Sequence, residues 1–474
     1  MNSQTAAATA ADFQAVPKRS TVVALAMAAL FLAAMDSTAV GTLLPFIKAQ
    51  MNDAVLYPWL LSGFILTSVV ASPIAGKVAD ALGEKTAMLA ALGLFLAGSL
   101  AVWWAKDMPS LVCARALQGA GAGAVTVTTY VVIGKLFGDH ERGRMQGALS
   151  LVWGLAAILG PLLGALIHQH WGWRMVFLLN VPACVAIIAL LWLQYPERRD
   201  RAAAGATLDP ATLAGFALSM SAVLLLMMSE SLHLDAALRI GVAAAAIAGL
   251  ALQAWRVRGH AQRSLVPVAF LTRRAFAVPA LLAMIASVVL YGSVTLLPLY
   301  ISGGATGGDD GSVRGGLMIM ASALGWVVGS AVCGGGLNRF GFRNATLFGT
   351  VALTVGAVLL LRSQPQSPGW WFAIAQGAIG IGIGFTATAM LVLVQNQSPI
   401  TQIGGATSGV HLCRNIGASL GINAVAALQI AALAGGGSAA WQGSFHRAFL
   451  LLLTLAVIAL PLAATLPRTA ERRG

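Results

Sequence analysis

The feature that most constrains this chain is a series of long apolar stretches separated by short polar segments. Fourteen such stretches of about 17–28 residues can be counted along the sequence. A helix needs about 20 residues to cross the ~30 Å hydrocarbon layer of a bilayer, and in lipid its backbone groups must be satisfied within the segment. The sequence therefore predicts an all-α polytopic membrane protein with spans at 21–46, 57–77, 86–105, 109–134, 147–167, 175–194, 210–229, 237–255, 276–301, 315–335, 345–361, 371–394, 405–432 and 445–465.

Composition supports this prediction and excludes other classes. Of the 474 residues, 58% are hydrophobic and only 9% are charged, whereas a soluble domain has about 25% charged residues. So few charges could not cover the surface of a soluble enzyme, a nucleic-acid-binding domain or a disordered chain. The net charge of +13 does not indicate a nucleic-acid partner, because the basic residues lie in short loops between apolar stretches. We expect the lipid bilayer to surround the protein.

The distribution of basic residues predicts the orientation. With the N-terminus inside, 20 of the 29 lysines and arginines lie on the inner side, and 7 lie on the outer side. Loops rich in Lys and Arg face the cytoplasm. We therefore expect a multi-pass protein of the cell (inner) membrane with cytoplasmic tails at 1–20 and 466–474.

The sequence also repeats itself weakly. Three elements of the first half recur later at offsets of 253, 258 and 257 residues: Thr42–Pro45 as Thr295–Pro298, 76–83 as 334–341, and Gly160 with Gly164 as Gly417 with Gly421. Near-equal offsets predict two six-span halves, 21–194 and 276–465. The segment 195–275 would join them and carry two inserted spans. Two parallel halves around a midplane cavity are typical of transporters.

A polar motif follows the second span. Its functional positions are Gly76, Asp80, Gly83 and Lys85. The glycines allow a tight turn and close helix approach, Asp80 can cap a helix N-terminus or pair with a cation, and Lys85 can reach a helix end or a lipid phosphate. In the second copy, Asn338 replaces the acid and Arg339 follows it.

Two further motifs lie within the spans. Span 5 contains Gly160, Pro161 and Gly164. Proline bends a helix by removing a hydrogen bond, and the glycines let another helix approach. Span 4 contains Arg115 and, one turn later, Gln118. A charge in hydrocarbon is expensive and must face a partner or water.

Asp36 is the one carboxylate well inside a predicted span. At 1.5 Å per residue, it lies about 15 Å from the outer end of span 1, and Arg115 lies about 9 Å from the outer end of span 4. We expect the two residues to face one cavity, where proton and substrate compete for Asp36 and Arg115 tunes its pKa. The competing interpretation is a static buried pair that holds spans 1 and 4 together.

Other polar and aromatic residues within the spans are candidates for lining a substrate cavity. They are Trp59, Gln118, Trp153, Trp326, Gln376, His411 and Arg414. Arg414 could contact substrate or donate to carbonyl groups of a neighbouring helix. Ordinary helix packing is the competing interpretation for each of the others.

These motifs resemble those of a known family. Gly76-x-x-x-Asp80-x-x-Gly83-x-Lys85 resembles the loop signature of the major facilitator superfamily, and Gly160-Pro161-x-x-Gly164 resembles its antiporter signature. Together with Asp36 ahead of Pro45, and with the span count, they resemble the fourteen-span drug:H+ antiporter family. The resemblance implies two six-helix bundles plus two inserted helices, a cytoplasmic latch at Asp80, and proton coupling through Arg115.

The sequence thus predicts a proton-coupled exporter of small amphipathic compounds, working by alternating access. Export and drug-like substrates rest on the resemblance. The alternative within this class is an exporter of one specific metabolite, anionic or neutral. The alternative of another class is an intramembrane enzyme, for which no clustered nucleophile and base is found. We expect no metal and no cofactor, with the proton gradient as the energy source, and a monomer that binds a small-molecule substrate and protons.

Overall fold

The computed structural model describes residues 19–51, 56, 59–195, 209–227, 235–259, 273–304, 310–434 and 438–469. Within these ranges the secondary structure consists of thirteen α-helices and one short 3-10 turn at Ile400–Gln402. The first half contains α1 Arg19–Met51, α2 Trp59–Leu82, α3 Glu84–Trp104, α4 Met108–Leu136, α5 Asp139–Trp171 and α6 Arg174–Gln194. The remaining helices are α7 Pro210–Met227, α8 Ala236–Gly259, α9 Arg274–Gly304, α10 Asp310–Leu361, α11 Gly369–Gln397, α12 Ile403–Ala434 and α13 Ser438–Ala464.

The connections between helices follow local sequence signals. Gly83 separates α2 from α3 with a φ of 91°, a left-handed conformation that favours glycine. Before α4, Asp107 accepts a hydrogen bond from the backbone N–H of Ser110, whose side chain accepts one from the backbone of Asp107 in return. This reciprocal capping satisfies two donors that a helix start leaves open.

Helix α10 consists of two helical segments that meet at a kink. The sequence predicts two spans here, 315–335 and 345–361, and the 52-residue element is interrupted at Gly341, whose φ of 73° and ψ of 161° are not helical. At 1.5 Å per residue the whole element would be more than twice as long as a membrane crossing needs. The two helical segments therefore correspond to the two predicted spans, and a single glycine joins them in place of the expected loop.

Ten helices are long and apolar enough to cross a membrane, so the multi-pass membrane class is confirmed for the described residues. The inserted helices α7 and α8 contain shorter apolar stretches, Ala211–Val223 and Ala236–Leu252. The count of fourteen crossings stays a prediction. Of the predicted N-terminal tail, the structure describes only Arg19 and Ser20, and both are helical rather than part of a tail.

The two halves pack by corresponding helix pairs. In the first half α5 packs on α1, where a Cβ added at Gly160 would lie 2.9 Å from the carbonyl oxygen of Met35. In the second half α12 packs on α9, where a Cβ at Gly421 would lie 2.6 Å from the carbonyl oxygen of Val288. Both positions therefore require glycine, and the repeated glycines serve the same kind of contact in each half.

The most extensive contacts between the halves are those of α2 with α12 and of α5 with α10. The α5–α10 contact is a glycine contact, because a Cβ at Gly143 would lie 2.9 Å from the carbonyl oxygen of Gly334. The inserted helix α7 packs on α2 and α12 through an apolar cluster of Val69, Phe216, Met220 and Leu412.

Candidate functional site

The first site is a buried ion pair between α1 and α4. Arg115 Nη1 lies 2.7 Å from Asp36 Oδ2, and the two side chains are 1% and 0% exposed. The structure therefore brings together the two residues predicted to act in proton coupling, and it seals both from solvent in this conformation. Removing one partner of such a pair would leave an uncompensated charge in a low-dielectric interior.

Amide side chains complete the coordination of the Asp36 carboxylate. Gln118 Nε2 donates to Asp36 Oδ1 at 3.0 Å, and Asn180 Nδ2 of α6 donates to the same oxygen at 2.8 Å. Gln118 also accepts from Arg115 at 2.5 Å and donates to Ser99 Oγ of α3 at 2.9 Å. The network joins α1, α3, α4 and α6 through hydrogen bonds around one buried carboxylate.

Sequence reasoning placed Gln118 in the substrate cavity and did not assign Asn180 or Ser99. Gln118 is fully buried and is committed to the ion pair, so in this conformation it is not a cavity-lining residue. Asn180 carries a detectable signal, because it is a lone amide within the apolar stretch of α6. We name these residues, Asp36, Ser99, Arg115, Gln118 and Asn180, the Asp36 network.

Aromatic rings cover the cation of this network. The Arg115 guanidinium carbon lies 4.2 Å from the centroid of the Phe64 ring and 5.5 Å from that of Phe177. Ring faces attract cations, most strongly where water is excluded. Among the described residues, Arg115 Nη2 has no hydrogen-bond partner, so the network retains one buried donor.

The second site is the contact between the halves at Asp80. Its carboxylate accepts hydrogen bonds from the backbone N–H groups of Gly404, at 2.9 Å, and Gly405, at 2.7 Å, at the start of α12. Asp80 thus caps a helix N-terminus in the other half, as the sequence allowed. A Cβ at Gly76 would lie 2.5 Å from the carbonyl oxygen of Gly404, so this approach requires the glycine.

Basic residues surround the same contact. Lys135 Nζ lies 3.0 Å from Glu84 and 3.9 Å from Asp80. Arg142 donates to the Asn396 side chain across the halves at 2.9 Å. Lys85 donates to the carbonyl oxygen of Trp192, at the end of α6, at 2.9 Å. This basic end is the one that the charge count predicts to face the cytoplasm.

The second copy of the motif makes a weaker contact between the halves. Asn338 Nδ2 donates to the carbonyl oxygen of His140, in the first turn of α5, at 2.9 Å. Arg339 is exposed. A neutral amide makes a weaker hydrogen bond than a carboxylate at a helix N-terminus, so the two copies of the motif contribute unequally to holding the halves together.

The third site combines both halves. The Tyr130 ring of α4 lies 4.6 Å from the His411 ring of α12, and the Arg414 guanidinium carbon lies 5.2 Å from the Trp326 ring of α10. Trp153 of α5 hydrogen-bonds to Tyr130. Sequence reasoning named every member except Tyr130. We call these five residues the Arg414 cluster.

Two predicted cavity residues lie outside that cluster. Gln376 is buried between α11 and α9, where it accepts a hydrogen bond from Ser293 at 3.3 Å. Trp59 is partly buried at the start of α2. Pro161 lies inside α5. Gly164 belongs to the contact of α5 with α1, since a Cβ at this position would lie 3.2 Å from that of Ala39.

Together, the helix count, the two-half packing and the embedded charges define a polytopic membrane protein. The chain belongs to the Major Facilitator Superfamily, whose family model matches residues 26–422. This confirms the family predicted from the motifs.

Individual relatives agree with this assignment. The chain is 26% identical over 415 residues to the multidrug transporter protein MdtP of Bacillus subtilis, covering 87% of this chain and 75% of the relative. It is 28% identical over 405 residues to an uncharacterized MFS-type transporter of Mycobacterium tuberculosis, covering 84% of this chain. The chain spans only 58% of the length of that relative.

The fold also resembles a solved structure. The human organic anion transporter MFSD10 (TETRAN) superimposes with a TM-score of 0.67 at 13% sequence identity, covering 94% of this chain and all of the human one. At this identity the likeness concerns the fold alone.

Proposed function

We propose that this chain is a proton-coupled exporter of small amphipathic compounds, with fourteen membrane crossings and both termini in the cytoplasm. The observation that carries the proposal is the Asp36 network, which holds the one carboxylate that the described residues place deep inside a span. An ionisable residue at that depth is costly and is a default candidate for a proton path. Names of relatives such as the Bacillus multidrug transporter support export of drug-like compounds.

The mechanism follows from the charge balance of the network. Protonation of Asp36 removes its negative charge and would leave Arg115 as an unpaired buried cation, which is unfavourable. Proton uptake therefore has to accompany a conformational change that lets water reach the pair. Return of the proton to the cytoplasm restores the ion pair and resets the cycle.

The packing of α1 offers a route from this pair to the contact between the halves. Thr38 lies half a turn from Asp36 and donates to the carbonyl oxygen of Ala156 of α5 at 3.0 Å. Further along, α5 packs on α10 of the other half through Gly143 and Gly147. A shift of α1 on protonation would move α5 and loosen this contact, because packed helices shift as rigid elements.

The proton gradient is large enough to drive export. One proton crossing 100 mV supplies about 2.3 kcal/mol, and one pH unit adds about 1.4 kcal/mol. Together these sustain a gradient of roughly two to three powers of ten for a neutral substrate exchanged for one proton.

The test is efflux from proteoliposomes with an imposed pH gradient, using Asp36→Asn. Asparagine removes the titratable group and keeps the shape, so we expect downhill substrate exchange to persist and gradient-driven efflux to disappear. The matched control is Asp107→Asn, an exposed carboxylate that caps α4, because asparagine caps a helix as well as aspartate does. Normal gradient-driven efflux by Asp36→Asn would overturn the proposal and favour a static ion pair.

The range of substrates needs a separate measurement. A panel of cationic, neutral and anionic dyes and drugs, with and without a proton uncoupler, distinguishes a broad exporter from an exporter of one metabolite. We expect several compounds to be moved, each sensitive to the uncoupler.

A further inference from the structure

The Arg414 cluster has a composition that the proposed proton site does not explain. Tyr130 and Trp153 come from the first half, and Trp326, His411 and Arg414 come from the second. Transporters bind their substrates where residues from both halves meet. Tyr130 and His411 are buried, whereas Trp153, Trp326 and Arg414 are partly buried.

The cation of this cluster has no counter-ion in the part of the chain that the structure describes. None of the ion pairs there involves Arg414. From residue 236 to 470, the sequence contains only two acids, Asp309 and Asp310, and both precede α11 and α12. The second half therefore has no embedded carboxylate that could neutralise Arg414.

Two polar atoms of the cluster also lack partners. Arg414 Nε and His411 Nε2 are buried, and neither has a hydrogen-bond partner among the described residues. The His411 side chain is only 8% exposed. Buried polar groups are normally satisfied, and each exception calls for an explanation such as an absent ligand.

The chemistry of these groups defines a complementary ligand. A guanidinium group presents parallel N–H donors that match two oxygens of a carboxylate or sulfonate. The rings of Tyr130, Trp153 and Trp326 offer flat apolar surfaces for a planar body. A compound with both parts would supply the missing negative charge and the missing acceptor.

We propose that the Arg414 cluster binds the anionic group of an aromatic organic monoanion, which is the substrate class of this transporter. The inference rests on the proposed function, because it names the cargo of the same exporter. It also has an energetic consequence. Each charge that crosses 100 mV changes the equilibrium gradient about 50-fold, and export of an anion in exchange for a proton moves two charges in the favourable direction.

The binding test uses three probes of one shape in lipid nanodiscs: naphthalenesulfonate, naphthalenesulfonamide and naphthylmethylammonium. These are anionic, neutral and cationic, and equilibrium binding is measured for each by calorimetry. We expect the wild-type protein to bind the sulfonate about tenfold to a hundredfold more tightly than the sulfonamide, which is the range for hydrogen bonds to a charged group. Equal binding of all three, or tighter binding of the ammonium probe, would overturn the inference.

Variants test whether Arg414 causes the preference for the sulfonate over the sulfonamide. Arg414→Met keeps the length of the side chain and removes the charge, so the preference for sulfonate should disappear while sulfonamide binding persists. Arg414→Lys keeps the positive charge and should retain part of the preference for sulfonate. Arg362→Met removes an exposed arginine outside the cluster and should leave it unchanged. An unchanged preference in Arg414→Met would also overturn the inference. If that variant does not fold, the order of the affinities of the three probes for the wild-type protein still tests the inference.

A transport measurement separates this inference from the proposed function. Efflux of naphthalenesulfonate is followed in proteoliposomes with and without a protonophore, because a sulfonate neither protonates nor diffuses through lipid. Arg414-dependent efflux that the protonophore does not change would contradict proton coupling and support the anion site. Proton-driven efflux of cationic dyes without sulfonate transport would support the proposed function and overturn the anion site.

Discussion

Each half of this protein has one arginine inside a predicted apolar span, Arg115 in the first half and Arg414 in the second, and the two have different surroundings. Arg115 is 1% exposed, pairs with Asp36 at 2.7 Å and lies over the rings of Phe64 and Phe177. Arg414 is partly buried, lies over the Trp326 ring, and forms no ion pair within the described ranges. The first charge is neutralised within the protein, whereas the second has no counter-ion among the described residues.

The repeat shows where the two halves differ in sequence. The segment Gln118-Gly119-Ala120 of α4 recurs as Gln376-Gly377-Ala378 of α11. The offset of 258 places Ala373 where the first half has Arg115. The second half therefore has no cation at this position, and its embedded arginine lies on α12 instead. Equivalent helices carry a closed ionic network in one half and a simple amide–hydroxyl contact in the other.

The largest expected difference between the halves is in the stability effect of removing each arginine. Arg115→Met leaves Asp36 as an unpaired buried charge, which should destabilise the protein by about 3–5 kcal/mol. Arg414→Met removes a cation that has no ion-pair partner among the described residues, so its stability should stay equal or rise. Thermal unfolding in nanodiscs checks both.

A double variant sharpens this prediction. In Asp36→Asn combined with Arg115→Met both charges are absent, so most of the stability lost in Arg115→Met should return. Failure of the double variant to recover would mean that shape, and not charge, dominates the Asp36 network.

The repeated glutamines should show a smaller difference. Gln118→Leu removes hydrogen bonds to Asp36, Arg115 and Ser99, and two of these involve charged groups. We expect a loss of about 2–4 kcal/mol. Gln376→Leu removes only the contact with Ser293 and should cost about 1 kcal/mol or less. Equal losses in unfolding experiments would contradict the comparison.

The smallest expected difference concerns two asparagines. Asn180→Leu removes a donor to the Asp36 carboxylate and should cost about 1–2 kcal/mol. In the second half, Asn423 donates to the carbonyl oxygen of Ser419 on its own helix, and Asn423→Leu should change stability by less than about 0.5 kcal/mol, since helix backbone carbonyls are already paired. The same unfolding assay with both variants measures the difference. A larger loss in Asn423→Leu would show that α12 depends on polar contacts as much as α6 does.

Particular residues show how much of the site could be predicted from the sequence. The depth of Asp36 and Arg115 in their spans predicted that they share a region, and they form an ion pair. Asp80 was predicted to cap a helix or to pair with a cation, and its carboxylate does both. Gln118 was assigned to the cavity because nothing in the sequence shows which way a helical side chain faces when the whole helix is apolar. Tyr130 was missed for the same reason.

The sequence by itself determined that the protein belongs in a lipid bilayer, which family it belongs to, and which charged residues lie inside the spans. These depend on apolar length, charge distribution and short motifs, which are local properties of the chain. Only the tertiary structure decided that Arg115 reaches Asp36, 79 positions away, and that Asp80 caps a helix of the other half. It also decided that Arg414 lies over an aromatic ring and forms no ion pair with any described residue. The physical reason is that these contacts depend on how each helix is rotated about its axis and packed against its neighbours. In uniformly apolar helices, small residues at the contact fix that rotation only once both helices are packed together.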